Sequence, residues 1–183
     1  MKNIMLKILA FGASNSRESI NKQLADYAAK QFDGAVVTLI DLNDFEMPLF
    51  SVDREREEGI PSLAHDFSAL IETHDLIVIS FAEHNGSYTV AFKNLLDWTS
   101  RIEQKLWKES PLFLLSTSPG RRGGASVLET ASTRAGYMGG KVVATFSLPA
   151  FKQNFSLEEG IVDGELAALF QEKLGLVLDQ LAQ

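Results

Sequence analysis

The sequence predicts a doubly wound α/β fold, a parallel sheet covered by helices on both faces. Five apolar runs of strand length recur along the 183 residues without strict alternation, the pattern of strands buried on both faces. Amphipathic stripes at helical spacing fill the gaps between them. Strands separated by helices pair in parallel, because each crossover returns the chain to the same end of the sheet, and the helices then cover its faces.

The first run is Leu6–Phe11, followed by Ile20, Leu24, Tyr27, Ala28 and Phe32 on one helical stripe. Ser19 stands at the N-cap position of that stripe and Gly34 where the helix should stop. The second run is Ala35–Asp41. After it, the charged stretch Asp53–Glu58 reads as a solvated loop. Ser62, just after Pro61, is placed to cap a second stripe of Leu63, Phe67, Leu70 and Ile71. Leu76–Phe81 is the third run, with Phe92, Leu95, Leu96 and Ile102 behind it. Leu112–Thr117 is the fourth, followed by a weaker stripe of Val127, Leu128 and Ala131. Val142–Leu148 closes the sheet, and a long stripe from Leu166 to Leu181 supplies the last helix. With no repeat, low-complexity tract or linker, residues 1–183 read as a single domain, long enough to bury roughly 70% of its unfolded surface.

Composition narrows the function. The formal net charge is −7 and no basic block exceeds Arg121-Arg122, which argues against a nucleic-acid partner. The absence of cysteine removes thiol nucleophiles, thiolate metal sites and disulfides together. Any redox chemistry must therefore come from a cofactor. The run after Met1 is too short for a signal segment, and no apolar stretch approaches the ~20 residues of a membrane helix. The expectation is a cytoplasmic protein with no membrane partner. His65 and His74 read as solvated surface groups, and the histidine spacing suggests no metal.

In open parallel sheets, ligands bind outside the carboxyl ends of the strands, where strand order reverses. That rule selects three loops, Gly12–Ser19, Ala82–Tyr88 and Ser116–Gly124, all rich in Gly, Ser and Asn. The first joins a strand to a helix, so unpaired N–H groups and the helix dipole favour an anion there. Ser14, Ser16 and Ser19 can donate hydrogen bonds, Asn21 can brace the turn, and Arg17 can offset a phosphate charge. An ordinary polar turn with a capping serine is the competing reading. Neither G-x-x-x-x-G-K-[ST] nor G-x-G-x-x-G is present, so a single phosphate suits the loop better than a triphosphate or pyrophosphate.

"SFAEHNGSYTVAFKNLLDWTSR", residues 80–101, resembles the P-E-Y-N-G-S-x-x-x-x-x-K-N-x-x-D-W-x-S-R signature of the NADPH-dependent FMN reductase family. Glu83, Asn85, Gly86, Ser87, Lys93, Asn94, Asp97, Trp98, Ser100 and Arg101 match in register. Ala82 replaces the proline and His84 the tyrosine. The opening loop is similar to the family's G-S-x-R-x-x-S-x-N through Ser19 and Asn21, with Arg17 one position late. "IDLNDFEMPLF" and "TSPGRRGG" resemble two further family segments, and the likeness extends from about residue 6 to residue 150.

The resemblance implies a flavodoxin-like three-layer sandwich with strand order 2-1-3-4-5, FMN as cofactor and NADPH or NADH as transient hydride donor. It implies FMN phosphate and ribityl on Ser14, Ser16, Arg17, Ser19 and Asn21. The flavin ring would then lie against Glu83, His84, Asn85 and Gly86, with Ser118 and Gly120 at its pyrimidine edge. No side-chain general acid is required, since the flavin carries the hydride chemistry. The expected function is an NAD(P)H oxidoreductase passing electrons to a quinone, free flavin or similar small acceptor, in a homodimer or homotetramer. A flavodoxin-like electron carrier or a non-catalytic flavin-binding protein is the alternative. A hydrolase lacks its G-x-S-x-G turn. Asp97 and Arg101, four apart, read as a structural ion pair, and Trp98 and Trp107 as packing or interface residues.

Overall fold

A computed structural model describes residues 5–183; the start of the N-terminal run weighed above as a signal segment lies outside them. β1 (Lys7–Ala13), β2 (Val36–Ile40), β3 (Leu76–Phe81), β4 (Pro111–Thr117) and β5 (Lys141–Leu148) fall where the apolar runs are. They form a parallel sheet of order β2-β1-β3-β4-β5. The expected doubly wound order is therefore the observed one. The crossovers carry α1 (Ile20–Ala29), a 3-10 turn (Leu42–Phe45), α2 (Val52–Glu58), α3 (Ser62–Glu72), α4 (Val90–Ile102) and α5 (Ala125–Tyr137). After β5 come α6 (Phe151–Asn154), a small antiparallel pair of β6 (Phe155–Ser156) with β7 (Gly160–Ile161), and α7 (Gly164–Leu181).

The two-residue period of a strand sorts each apolar run onto both faces. From β1, Leu9 and Phe11 join Phe67 of α3, Phe92 and Trp98 of α4 and Val127 of α5. Ile8 and Ala10 join Leu24 and Ala28 of α1 with Phe170, Leu174 and Val177 of α7 on the other face. Phe11, Phe67 and Phe170 are buried to within a few per cent, and truncating one such ring to alanine typically costs about 3–5 kcal/mol. Gly12 is required by a close approach: a Cβ there would run into the Lys22 nitrogen of α1.

Four local expectations are corrected. The Asp53–Glu58 stretch is not a loop but most of α2, capped by Ser51 and wholly without buried residues; its helicity rests on capping and charge pairing, which leave no apolar stripe to read. Ser62 is the first residue of α3 and Pro61 its cap. His74 is half-buried rather than solvated. Its Nδ1 donates to the Leu70 carbonyl (2.7 Å) and its Nε2 meets Thr38 Oγ1 (2.8 Å), tying α3 to β2. On α7, Leu169 and Leu178 are 40% and 46% exposed, so only part of the long stripe faces the sheet. No helix among the described residues is long and apolar enough to cross a membrane.

Candidate functional site

The carboxyl ends of β1, β3 and β4 bring the three selected loops together. A cleft of about 190 Å3 lies between them, lined by Ser14, Ser16, Ser19 and Asn21 from the first, Ala82–His84 from the second and Thr117–Pro119 from the third. β1 is the point from which the chain departs to β2 on one side and β3 on the other, so the cleft sits where strand order reverses.

The first loop is held lightly. Ser14 is buried and its Oγ accepts from the Ser16 nitrogen (3.1 Å). Ser19 caps α1, accepting from the Lys22 nitrogen (3.1 Å). Asn15, Ser16, Arg17 and Glu18 are exposed. Among the described residues, the backbone N–H groups of Arg17, Glu18, Ile20 and Asn21 find no protein acceptor, and Arg17 has neither ion pair nor hydrogen bond. These donors lie in the loop before α1 and in its first turn, at the positive end of the helix dipole.

Asn21 is bound into the scaffold. Its Oδ1 accepts from Ser80 Oγ (2.7 Å) and from the Thr117 nitrogen (3.1 Å), and its Nδ2 donates to the Thr117 carbonyl (3.2 Å). Both carbonyl lone pairs are thereby used. The residue fixes α1 against β3 and β4, and the loop above follows that register.

The second loop is a tight hairpin. His84 and Ser87 exchange both backbone bonds (3.0 and 3.1 Å), and Asn85 and Gly86 between them have φ of 52° and 76°. Two positive φ angles make this a type I′ turn, for which Asn-Gly is the favoured pair. A Cβ at Gly86 would meet nothing within 4 Å; the glycine answers to backbone conformation. Glu83 does not project as a free group. Its Oε2 accepts from the Val127 nitrogen (3.0 Å), supplying the N-cap that Gly124 cannot give to α5.

The third loop is pinned through its carbonyls. Ser116 Oγ and Ser147 Oγ both donate to the Gly123 carbonyl (2.7 and 3.0 Å), and Thr117 Oγ1 donates to the Leu148 carbonyl (2.7 Å). The Ala150 and Phe151 nitrogens close on the carbonyls of Gly120 and Ser118. Ser118 Oγ accepts from the Gly120 nitrogen (3.2 Å).

Some supporting residues escaped sequence reasoning. Thr89 caps α4 and donates to the Ala13 carbonyl (3.0 Å), joining the first and second loops; a threonine directly before an apolar stripe was the signal for it. Asn94 accepts from the Phe50 nitrogen and donates to the Met47 and Pro48 carbonyls, while Trp98 Nε1 donates to the Pro48 carbonyl (2.7 Å). These two residues of the matched signature clamp the segment after β2, and Trp98 is wholly buried. The expected Asp97–Arg101 pair does not form. Asp97 takes Lys93 (2.7 Å), and Arg101 reaches Glu55 of α2 (2.9 Å) with its guanidinium over the Phe50 ring.

Two titratable groups near these loops are shifted. Burial pushes the Tyr88 phenol up to about 12 against the pull of Arg134, so it stays protonated across neutral pH. Burial also acts to raise Asp41, but hydrogen bonds from Lys22 and Asn43 outweigh it and hold the carboxyl below its ordinary value.

Comparison with known proteins finds one matching family model, relatives of known sequence and solved structures of like fold. The family model described as NADPH-dependent FMN reductase matches residues 6–153. A probable NADPH:quinone oxidoreductase 2 from Oryza sativa subsp. japonica is 29% identical over 126 residues, 67% of this chain and 61% of that protein. A quinone reductase from Escherichia coli (strain K12) is 32% identical over 80 residues, 44% of this chain and 43% of its own. These alignments span less than two thirds of either relative. The flavoenzyme NAD(P)H:(acceptor) oxidoreductase FerB from Paracoccus denitrificans superposes with a TM-score of 0.76 at 22% identity, covering 97% of this chain and 98% of that one. A flavodoxin, WrbA-like protein from Agrobacterium tumefaciens gives 0.57 at 16% identity, covering 96% of each chain. The fold is flavodoxin-like.

Proposed function

This chain belongs to the NADPH-dependent FMN reductase family, and from that membership we propose that it is an NAD(P)H oxidoreductase holding FMN in the three-loop cleft and reducing a quinone or similar small acceptor. The observation that carries the reading is the set of unpaired N–H donors around the exposed Arg17, at the α1 N-terminus where strand order reverses. A phosphate monoester fits that donor set, because each N–H offers a hydrogen bond and the helix dipole adds partial positive charge.

Ser14, Ser16, Arg17 and Ser19 would hold the phosphate and ribityl chain, with Asn21 keeping their loop in register. The backbone of His84, Asn85 and Gly86 would face the ring on one side, with Glu83 fixing their hairpin to α5, and Ser118 and Gly120 on the other. When bound, the flavin supplies hydride acceptance and two-electron transfer. The chain's own work is to bind, orient and offer fixed N–H dipoles where negative charge develops. Tyr88, protonated at neutral pH, is no base.

The same reading takes residues 1–183 as one FMN-binding domain, supported by the two core clusters built on one five-stranded sheet. A cytoplasmic setting, where reduced nicotinamides are available, and assembly into a homodimer or homotetramer belong to it as well; fractionation and sedimentation velocity test them. The decisive experiment is an absorption spectrum of FMN-supplemented, desalted protein before and after anaerobic NADPH or NADH. Retained flavin that bleaches supports the reductase. Retained flavin that stays oxidised turns the reading toward an electron carrier or a non-catalytic flavin protein.

A further inference from the structure

The sheet has two edges, and they are finished differently. β5 begins on the exposed Lys141 and shifts register at Val143, since Val142 pairs with Leu112 and Ala144 with Phe113. A charge and a bulge are common means of keeping another strand off an edge. β2 has neither. Residues 35–40 read AVVTLI, with no charge, proline or glycine, and among the described residues β1 is the strand's one neighbour in the sheet. The Val36 nitrogen donates to the Leu6 carbonyl (2.8 Å), so Val36, Thr38 and Ile40 turn their backbone groups to β1 while Val37 and Leu39 turn theirs outward. Those two residues present their N–H and C=O groups to the open side. Apolar surface flanks them on both faces of the sheet: Val36 is 43% and Leu39 38% exposed, on alternate sides of the strand.

We propose that β2 is a surface through which two copies of this chain pair, antiparallel across a two-fold axis, joining two five-stranded sheets edge to edge. The pairing rests on the homo-oligomer proposed above and names a surface that forms it. A two-fold interface requires the strand to complement itself, and the outward groups do so in one register. With Thr38 on the axis, Val37 faces Leu39 of the partner subunit and Leu39 faces Val37 of the partner subunit, each pair exchanging both backbone bonds. Centring on Val37 would call on Ala35, whose nitrogen is spent on the Phe32 carbonyl (3.2 Å). Centring on Leu39 would call on Asp41, whose carbonyl already accepts from the Asp44 nitrogen (3.0 Å). The Thr38 register also sets that threonine against its own copy, a favourable cross-strand pair. It places Val36 against Ile40 of the partner subunit, so the exposed apolar surface on both faces is withdrawn from water.

The test combines amide hydrogen exchange, sedimentation and cross-linking on the FMN-supplemented protein. In the assembled wild-type chain the Val37 and Leu39 amides should exchange within about tenfold of Thr38 and Ile40, as paired strand amides do. Leu39→Lys puts a charge on the edge; it should halve the sedimenting mass and speed exchange at Val37 more than about tenfold. Because the chain has no cysteine, a single one reports its own contact. Thr38→Cys would lie about 4.5 Å, Cα to Cα, from its copy, within disulfide reach, so mild oxidation should link the chains in pairs. Val36→Cys, displaced from the axis, should link far less. A chain that stays monomeric at all concentrations overturns this pairing and the homo-oligomer reading together. Assembly in which Val37 and Leu39 exchange more than about tenfold faster than Thr38 overturns the pairing alone and gives the contact to another surface. Protection of both amides in a monomer also overturns it, and gives the edge to a different extended segment. So does an unchanged mass in Leu39→Lys, or linking of Thr38→Cys no greater than that of Val36→Cys. The exchange pattern is read on the wild-type chain and decides the question even where a variant fails to fold.

Discussion

The first and third loops sit on the same end of one sheet and line the same cleft, yet they are built in opposite ways. Ser118–Gly124 is fixed by hydroxyls from β4 and β5 and by the backbone of Ala150 and Phe151. Asn15–Glu18 is exposed, and its neighbouring N–H groups have no protein partner. A loop whose carbonyls are bonded by the rest of the protein holds its shape before any ligand arrives. A loop whose donors remain free can bind charge, at the cost of being less fixed until it does so.

The sharpest way to break this contrast is to disrupt the third loop. A Cβ at Gly123 would collide with Ser147 Oγ, come within 2.9 Å of the Pro149 nitrogen, and stand at a φ of +58°. We predict that Gly123→Val costs at least about 3 kcal/mol of stability, combining overpacking with a left-handed backbone. Urea denaturation measures it, and a native midpoint would show that the third loop is not rigid. Asn21→Ala comes next, since it removes three buried bonds and strands the Ser80 hydroxyl and both Thr117 backbone groups. A loss of about 2–4 kcal/mol is expected, and a change under 1 kcal/mol would detach α1 from the register argument.

Arg17→Ala should act in the opposite currency. Flavin titration should show FMN binding weakened by about 1–3 kcal/mol, while the denaturation midpoint of the flavin-free protein stays put, because Arg17 makes no protein bond. A shifted midpoint with unchanged FMN affinity would reverse the contrast. The smallest effect belongs to Lys22–Asp41, a partly exposed pair at 2.7 Å worth about 0.5 kcal/mol. Because the folded pKa of Asp41 is depressed, its contribution is present above the ordinary value of 3.8 and lost as pH falls through the lower folded value. In Asp41→Asn that small acid-side dependence of stability should vanish; an identical pH profile would remove the pair from the ledger.

The strands, their parallel order and the three loops were legible because they depend on contiguous apolar runs and on turn residues between them. Ser19 was legible as a cap for the same local reason. The partners of Asn21 and Glu83 were not, because they lie 96 and 44 residues away and only the sheet order brings them near. Asn21 reads from the sequence as a brace for its turn and, like Glu83, through the resemblance as a flavin contact; both side chains fasten one loop to another element. The pairing of Asp97 failed differently. Helical spacing offers it both Lys93 and Arg101, and the choice was made by Glu55 on a helix with no apolar pattern. Asn94 and Trp98 stood inside the matched signature, but their hold on the Met47–Phe50 backbone could be seen only in three dimensions.

Asn21 also sets an order of events for a chain emerging from its N-terminus. The loop after β1 is complete in sequence by residue 21, yet its anchor is the backbone of Thr117. During synthesis the first α1 turn exists long before the strand that orients it, and contacts of such sequence separation form slowly. The register of that loop therefore waits on the arrival of β4, and a nascent chain halted short of that strand carries the loop's exposed donors without the geometry that fixes them.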